Sequence, residues 1–296
     1  MEYQRVGSMD EKTTFIAQRY GAAVDLSISA MTLRNATFVE RLQAITTAGF
    51  QVMDWRIEDL ASAEKDGMDE DHFVELIQKS QIRPLDVAYF REWIGRENDP
   101  EFTQQEERLF RVSDRLQSRR LKAFVFEELP HDQIVSSLSA LCQRAAQHNL
   151  IVQLEFMAYT PPVNSLRSAW EIVQATNQPN ASLMIDAWQW VRSADSLSAL
   201  ASVPAERITE IQLSDVGAEP MPDLADESRH HRYIPGKGVM DLPQFLQAFI
   251  DHGVHDVQIS VEVMSDELDA LSPSEAAQRV AFGTRSVLWQ ALQPRA

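Results

Sequence analysis

Four short, largely apolar runs in this chain each end on an oxygen-bearing side chain, and that repetition constrains the fold more than any other feature. Leu183-Met184-Ile185 runs into Asp186, and Ile151-Val152-Gln153-Leu154 ends at Glu155. Ile208 to Ile211 leads into Gln212 and Asp215, and Val257 to Val261 stops at Glu262. A short apolar run bounded by turn signals reads as a buried strand. Side chains on four such strand ends, tens of residues apart, meet at one point only if the strands are parallel and close together.

Strand and helix signals alternate along the whole chain after residue 22. Ala23 to Ile28 is the first strand candidate, and Thr37 with Glu40 three residues on is a capping box. It opens a helix striped by Phe38, Leu42 and Ile45 and closed by Gly49. Gln51 to Arg56, Pro84 to Tyr89 and Leu121 to Phe126 are the next strands, the last running into Glu127-Glu128. Helices are marked by Phe73, Leu76 and Ile77, by Glu106 to Leu116, and by Asp132 to Asn149. After Glu155 comes a helix from Ser165 to Thr176, and after Asp186 a weaker one over Ser196 to Leu200. Leu242, Phe245, Leu246 and Phe249 recur at helical spacing behind Asp241, their expected cap. Ser272-Pro273-Ser274-Glu275 opens the last helix with a capping box and a first-turn proline.

Alternating β and α elements imply a parallel sheet. Eight such units fit a closed (β/α)8 barrel better than an open doubly wound sheet. No Gly-x-Gly-x-x-Gly follows a strand, which removes the main sign of a dinucleotide-binding fold. In a barrel of this kind chemistry sits at the C-terminal ends of the strands, where these acids lie. Residues 1–21 read as a polar extension and 22–296 as one barrel domain.

The net charge of −17, from 27 basic and 44 acidic residues, argues against nucleic acid or an anionic membrane as the main partner. The single cysteine, Cys142, excludes an intrachain disulfide and a Cys-based zinc site, and reads as core. With no long apolar run and no signal peptide, the expectation is a cytoplasmic protein acting on a small molecule, with room for a homo-oligomer.

Carboxylates from Glu155, Asp186 and Glu262 in one barrel mouth would repel, each pushing the others' pKa up, unless a cation intervened. A divalent metal shared with Gln212 relieves the conflict. The plainer alternative is that each acid faces solvent or caps the next helix, most persuasively Asp186. Between Arg232 and Asp241 the chain reads Arg-Tyr-Ile-Pro-Gly-Lys-Gly-Val-Met-Asp, a tight turn whose backbone can approach a ligand closely. Arg232 is the expected substrate contact, with His231 and Trp188 as further candidates; Trp188 or Trp190 can wall the pocket.

Together these stretches resemble the sugar phosphate isomerase/epimerase family, whose members share a xylose isomerase-like TIM barrel. The resemblance implies one divalent metal held by Glu155, Asp186 and Glu262, with Gln212 in Ile-Gln-Leu-Ser-Asp standing where a His is usual. It matches Arg232, Pro235, Gly236 and Gly238 to the family's Arg-x-x-Pro-Gly-x-Gly turn, and places Gln189 at a substrate-binding position that is commonly His. An all-oxygen ligand set favours Mn²⁺ or Mg²⁺ over Zn²⁺. The implied activity is an isomerase or epimerase acting on a small keto-sugar or polyol through an enediolate, with Glu155 and Glu262 as the catalytic pair. One alternative is a lyase of the 3-dehydroshikimate dehydratase type, favoured if Arg56 or Lys237 faces Arg232. The other is a barrel that binds without catalysis. A multi-zinc endonuclease is disfavoured, because the chain lacks the His-rich site and basic face it needs.

Overall fold

In the computed structural model, residues 25–193 and 197–292 are described. The expected extension, the first two residues of the first strand candidate (Ala23 and Val24) and Ser196 lie outside them. Eight parallel strands close into a barrel in sequence order: β1 (Ser27–Ile28), β2 (Val52–Arg56), β3 (Arg83–Ala88), β4 (Arg120–Ala123), β5 (Ile151–Glu155), β6 (Ala181–Asp186), β7 (Ile208–Leu213) and β8 (Gln258–Val261). Ser27 pairs with Ser260 as well as Val52, which joins the first strand to the last.

Helices cover the outside. They are α1 (Phe38–Thr47), α2 (Ile57–Lys65), α3 (Glu70–Ser80), α4 (Pro100–Leu116), α5 (His131–Ala146), α6 (Leu166–Thr176), α7 (Ala187–Arg192), α8 (Leu197–Leu200), α9 (Leu224–His230), α10 (Leu242–Asp251), α11 (Asp266–Asp269) and α12 (Pro273–Ala291). Their starts follow local chemistry. Thr37 and Glu40 exchange both bonds of the capping box, and Asp241 accepts from the Gln244 N–H at 3.0 Å. Ser272 takes the Glu275 N–H, while the Glu275 carboxylate turns to Arg279 at 2.6 Å.

Helix α4 begins at Pro100, six residues before the expected Glu106, because Asp99 caps it and a proline is tolerated in the first turn. Strand β4 ends at Ala123 rather than Phe126. Just beyond, the Phe124 carbonyl leaves the ladder and accepts from the Trp93 indole at 2.8 Å. Among the described residues, no helix is long and apolar enough to cross a membrane.

Alternate residues of each strand face opposite ways. Trp55, Val87, Leu121, Leu154, Leu183, Ile185, Ile211 and Ile259 belong to the apolar core of the molecule and are buried. The other face encloses Asp54, Asp86, Lys122, Gln153, Ser182, Glu210 and Ser260, also buried. Lys122 Nζ lies 2.9 Å from Glu210 on β7 and 3.3 Å from Asp54 on β2, and Ser260 Oγ donates to Glu210 at 2.5 Å. Arg120 pairs with Asp86 at 2.5 Å. A register shift leaves Thr209 extra in β7, where its hydroxyl meets Ser182 at 2.9 Å and Gln153 at 3.0 Å. The interior of such barrels is commonly filled by branched aliphatic side chains; this one is filled by paired charges.

Candidate active site

Above that network, the last inward position of each of β5, β6 and β7 and the residue following β8 supply Glu155, Asp186, Gln212 and Glu262 in turn. Asp186 lies in register with Gln212, and Gln212 with Ser260, two residues below Glu262. The four expected residues therefore share one arc of the mouth.

Asp186 does two things at once. Its Oδ1 accepts from the Gln189 N–H at 2.8 Å, capping α7, while its Oδ2 binds Arg232 Nη1 at 2.8 Å. Glu262 accepts from Ser29 Oγ at 2.8 Å and lies 3.3 Å from the same Nη1. The rest of the Arg232 guanidinium is fixed on Ser228, through its carbonyl at 2.8 Å and its hydroxyl at 2.9 Å. The cation between Asp186 and Glu262 is thus Arg232, stacked 5.3 Å above the Trp188 ring. Among the described residues, no group of three or more His, Cys, Asp and Glu side chains is arranged to hold a metal ion.

Charge in the mouth is unbalanced. Three carboxylates against one guanidinium, 3 − 1, leave a formal deficit of two. Burial pushes the Glu155 carboxyl well above the usual range, and the charges of Asp186 and Glu262 push it further, against Arg232 and Lys122. Burial likewise raises Glu262, with Arg232 opposing. Burial works against a charged Arg232, but Asp186, Glu262 and Glu155 outweigh it and hold the guanidinium protonated. Gln212 Oε1 is buried with no hydrogen-bond partner.

The turn that delivers Arg232 is held by a residue whose role spacing did not disclose. Asp215, fully buried, accepts from the N–H groups of Val216 at 2.9 Å, Gly236 at 3.0 Å and Met240 at 3.0 Å. A Cβ on Gly238 would lie 2.3 Å from the Val216 carbonyl and 2.4 Å from Asp215, so no larger residue fits unless the turn moves. Ser29 and Ser228, which orient Glu262 and Arg232, carry no sequence signal beyond being polar.

The other candidates separate. Trp188 is fully buried beneath Arg232. Gln189 is buried too, and its Oε1 is spent on the Ala158 N–H at 2.8 Å. His231 is exposed, 3.4 Å from Asp226, on the wall of a separate cavity of about 760 Å³ beside α12 that also includes Arg232 and Lys237. Arg56 ends β2, with Asp59 at 3.3 Å.

Residues 42–283 match the family described as xylose isomerase-like TIM barrel. The chain belongs to that family. The family fold is also that of the crystal structure titled IOLI protein with a binding zinc atom, at a TM-score of 0.79 and 22% identity over 89% of this chain and 98% of that one. Among curated relatives of this barrel, a 3-dehydroshikimate dehydratase from Pseudomonas aeruginosa is 31% identical over 156 residues, 53% of this chain and 24% of that protein. An inosose isomerase from Bacillus subtilis is 29% identical over 155 residues, 52% of this chain and 54% of that protein. The matched stretch thus spans about a quarter of the one and about half of the other.

Proposed function

We propose that this xylose isomerase-like barrel enolises a small hydroxylated ketone: it removes a proton from the carbon beside a carbonyl and returns it, as an isomerase or epimerase. The supporting observation is the placement of two buried carboxyls, Glu155 from β5 and Glu262 beyond β8, in one mouth with Arg232 and Gln212. Their strands stand three apart around the barrel, so the carboxyls approach a substrate from different sides. One takes the proton and the other delivers it to the neighbouring carbon or the opposite face. Environments that raise a carboxyl's pKa let it carry a proton near neutral pH. Gln189, an amide already bound to Ala158, takes no part in proton transfer.

The chemistry of the donor set suits a divalent cation: the excess of carboxylates over Arg232 and the partnerless Gln212 Oε1 favour one, and Glu155, Asp186, Gln212 and Glu262 would hold it once Arg232 gives up its place between Asp186 and Glu262. The zinc of the IOLI structure supports a metal in such a barrel, while the all-oxygen donors here favour Mn²⁺ or Mg²⁺. Such an ion, when bound, supplies Lewis-acid polarisation of the carbonyl. Arg232 holds two of the four side chains, Asp186 and Glu262, in place.

A second reading, a dehydratase in which the enolate expels a β-hydroxyl, draws support from the Pseudomonas relative. Both readings share the first proton transfer, so one experiment tests their common core. The protein with Mn²⁺ is incubated in D₂O with keto-sugars, inososes and cyclic keto-acids, and deuterium beside the carbonyl is followed by NMR. At least one substrate should exchange, and Glu155→Gln and Glu262→Gln should each slow it by roughly 10²–10⁴-fold. Absence of exchange across the panel in wild-type protein that binds its members would leave a binding barrel instead.

A further inference from the structure

We propose that Tyr159 is a substrate-binding residue of this mouth, its phenol donating a hydrogen bond to a hydroxyl oxygen of the ligand beside Glu155. Tyr159 stands in the turn that leaves β5 just beyond Glu155, and it is half-buried. That turn is fixed from several sides. Gln189 Oε1 accepts from the Ala158 N–H at 2.8 Å, the Thr160 N–H closes on the Met157 carbonyl at 2.9 Å, and the Met157 N–H bonds the Val163 carbonyl at 2.8 Å. The buried amide of Gln189 thus has a use in the site, since it sets the backbone next to Tyr159.

The Tyr159 ring meets the Trp188 ring edge-on with centroids 6.4 Å apart, and the Arg232 guanidinium lies 5.3 Å above that same Trp188. The phenol oxygen comes within hydrogen-bonding reach of the Ser228 side chain and feels the charges of Arg232 and Glu155. Donor directions follow from this chain of contacts. A guanidinium only donates, so Ser228 Oγ accepts from Arg232 Nη2 at 2.9 Å. A hydroxyl has a single hydrogen; that of Ser228 turns to the phenol oxygen, and the phenol hydrogen is left for a ligand.

Arg232 has no such freedom, because Asp186, Glu262 and Ser228 engage each of its nitrogens. A cationic donor in this mouth is drawn to the carboxylates, whereas a neutral phenol stays available. Burial, with the Glu155 charge adding to it against Arg232 and Ser228, holds the phenol above its ordinary pKa, so it keeps its hydrogen at neutral pH. Its placement beside the reacting carbon rests on the enolisation reading; its binding role does not.

The test uses the full chain with Mn²⁺ and two ketone probes, scyllo-inosose and 2-hydroxycyclohexanone. Both carry a carbonyl with a neighbouring hydroxyl, and only the inosose has the other ring hydroxyls. By calorimetry, Tyr159→Phe, which keeps the ring against Trp188, should weaken inosose binding about three- to tenfold, the worth of one hydrogen bond, and change 2-hydroxycyclohexanone by less than about twofold. A melting curve confirms that the variant folds. In protein labelled with 3-fluorotyrosine, the Tyr159 fluorine resonance, identified by its loss in Tyr159→Phe, should shift when inosose is added. An unmoved resonance, equal weakening of both probes, unchanged inosose affinity in folded Tyr159→Phe, or wild type that fails to bind inosose would overturn the proposal. Selective weakening and a moving resonance without deuterium exchange would refute enolisation and keep Tyr159; exchange without either would do the reverse.

Discussion

Gln153 and Leu154 are neighbours on β5 and both are buried, yet their surroundings have nothing in common. Leu154 lies in the apolar core with Leu183, Ile185 and Ile211. Gln153 points into the ring, where its amide donates to Thr209 and Lys122 stands between Glu210 and Asp54, with Gln153 Oε1 and Glu210 Oε2 buried without a hydrogen-bond partner. Outside the wall, stability comes from non-directional burial at roughly 25 cal/mol per Å² of apolar surface. Inside it, desolvation is a cost that only matched partners offset. Equal burial therefore does not mean equal tolerance.

The sharpest way to break this contrast is Lys122→Met, which leaves Asp54 and Glu210 buried without their cation. It should cost about 3–5 kcal/mol in urea unfolding, and adding Asp54→Asn and Glu210→Gln should recover much of that. A loss below about 1 kcal/mol would mean that the interior charges are not stabilised by pairing. Next comes Leu183→Ala on the outer face, expected to cost about 2–5 kcal/mol through the cavity it opens. That loss should be the same at pH 5 and pH 8, because no charge changes. A pH-dependent value would show that the two faces are coupled.

Glu155→Gln gives the smallest effect and carries a sign. The folded pKa of Glu155 lies above its unfolded value near ~4.3. Between the two, the folded chain keeps a proton that the unfolded chain has lost, so this group's contribution falls as pH rises. In buffer with EDTA, Glu155→Gln should therefore stabilise the protein at pH 8, by an amount on the order of 1 kcal/mol, and have little effect at pH 4. Destabilisation at pH 8 would contradict the charge deficit described for the mouth.

Much of this architecture was legible in the chain, for identifiable reasons. Strand ends at Glu155, Asp186, Gln212 and Glu262 stand out because apolar runs stop there abruptly. Thr37 with Glu40, and Asp241 before its apolar stripe, reveal helix starts because capping is local. The same logic was available at Asp99-Pro100, the true start of α4, but Glu106 lies inside a more conspicuous amphipathic stretch. The charged interior was harder to read. Val-Met-Asp-Trp-Arg and Arg-Leu-Lys-Ala do alternate, but strands covered on both faces are expected to be nearly continuous in apolar residues.

Asp215 falls beside Gln212 in sequence and reads as one more donor for the mouth. Its oxygens are instead taken by backbone N–H groups of the turn carrying Gly236 and Gly238, contacts no side-chain pattern encodes. Gln189 sits where the family motif puts a substrate contact, but its amide oxygen holds the Ala158 N–H, a contact that only the folded chain creates.

The Lys122 ion pairs also bear on how the chain is made. Its first counter-ion, Asp54, lies 68 residues behind it, while Glu210, 210 − 122 = 88 residues ahead, has yet to be synthesised when β4 leaves the ribosome. A nascent chain of four strands carries this lysine with half of its final complement. Ring closure and neutralisation are then a single late event, and the first half of the barrel cannot reach its final electrostatic state alone.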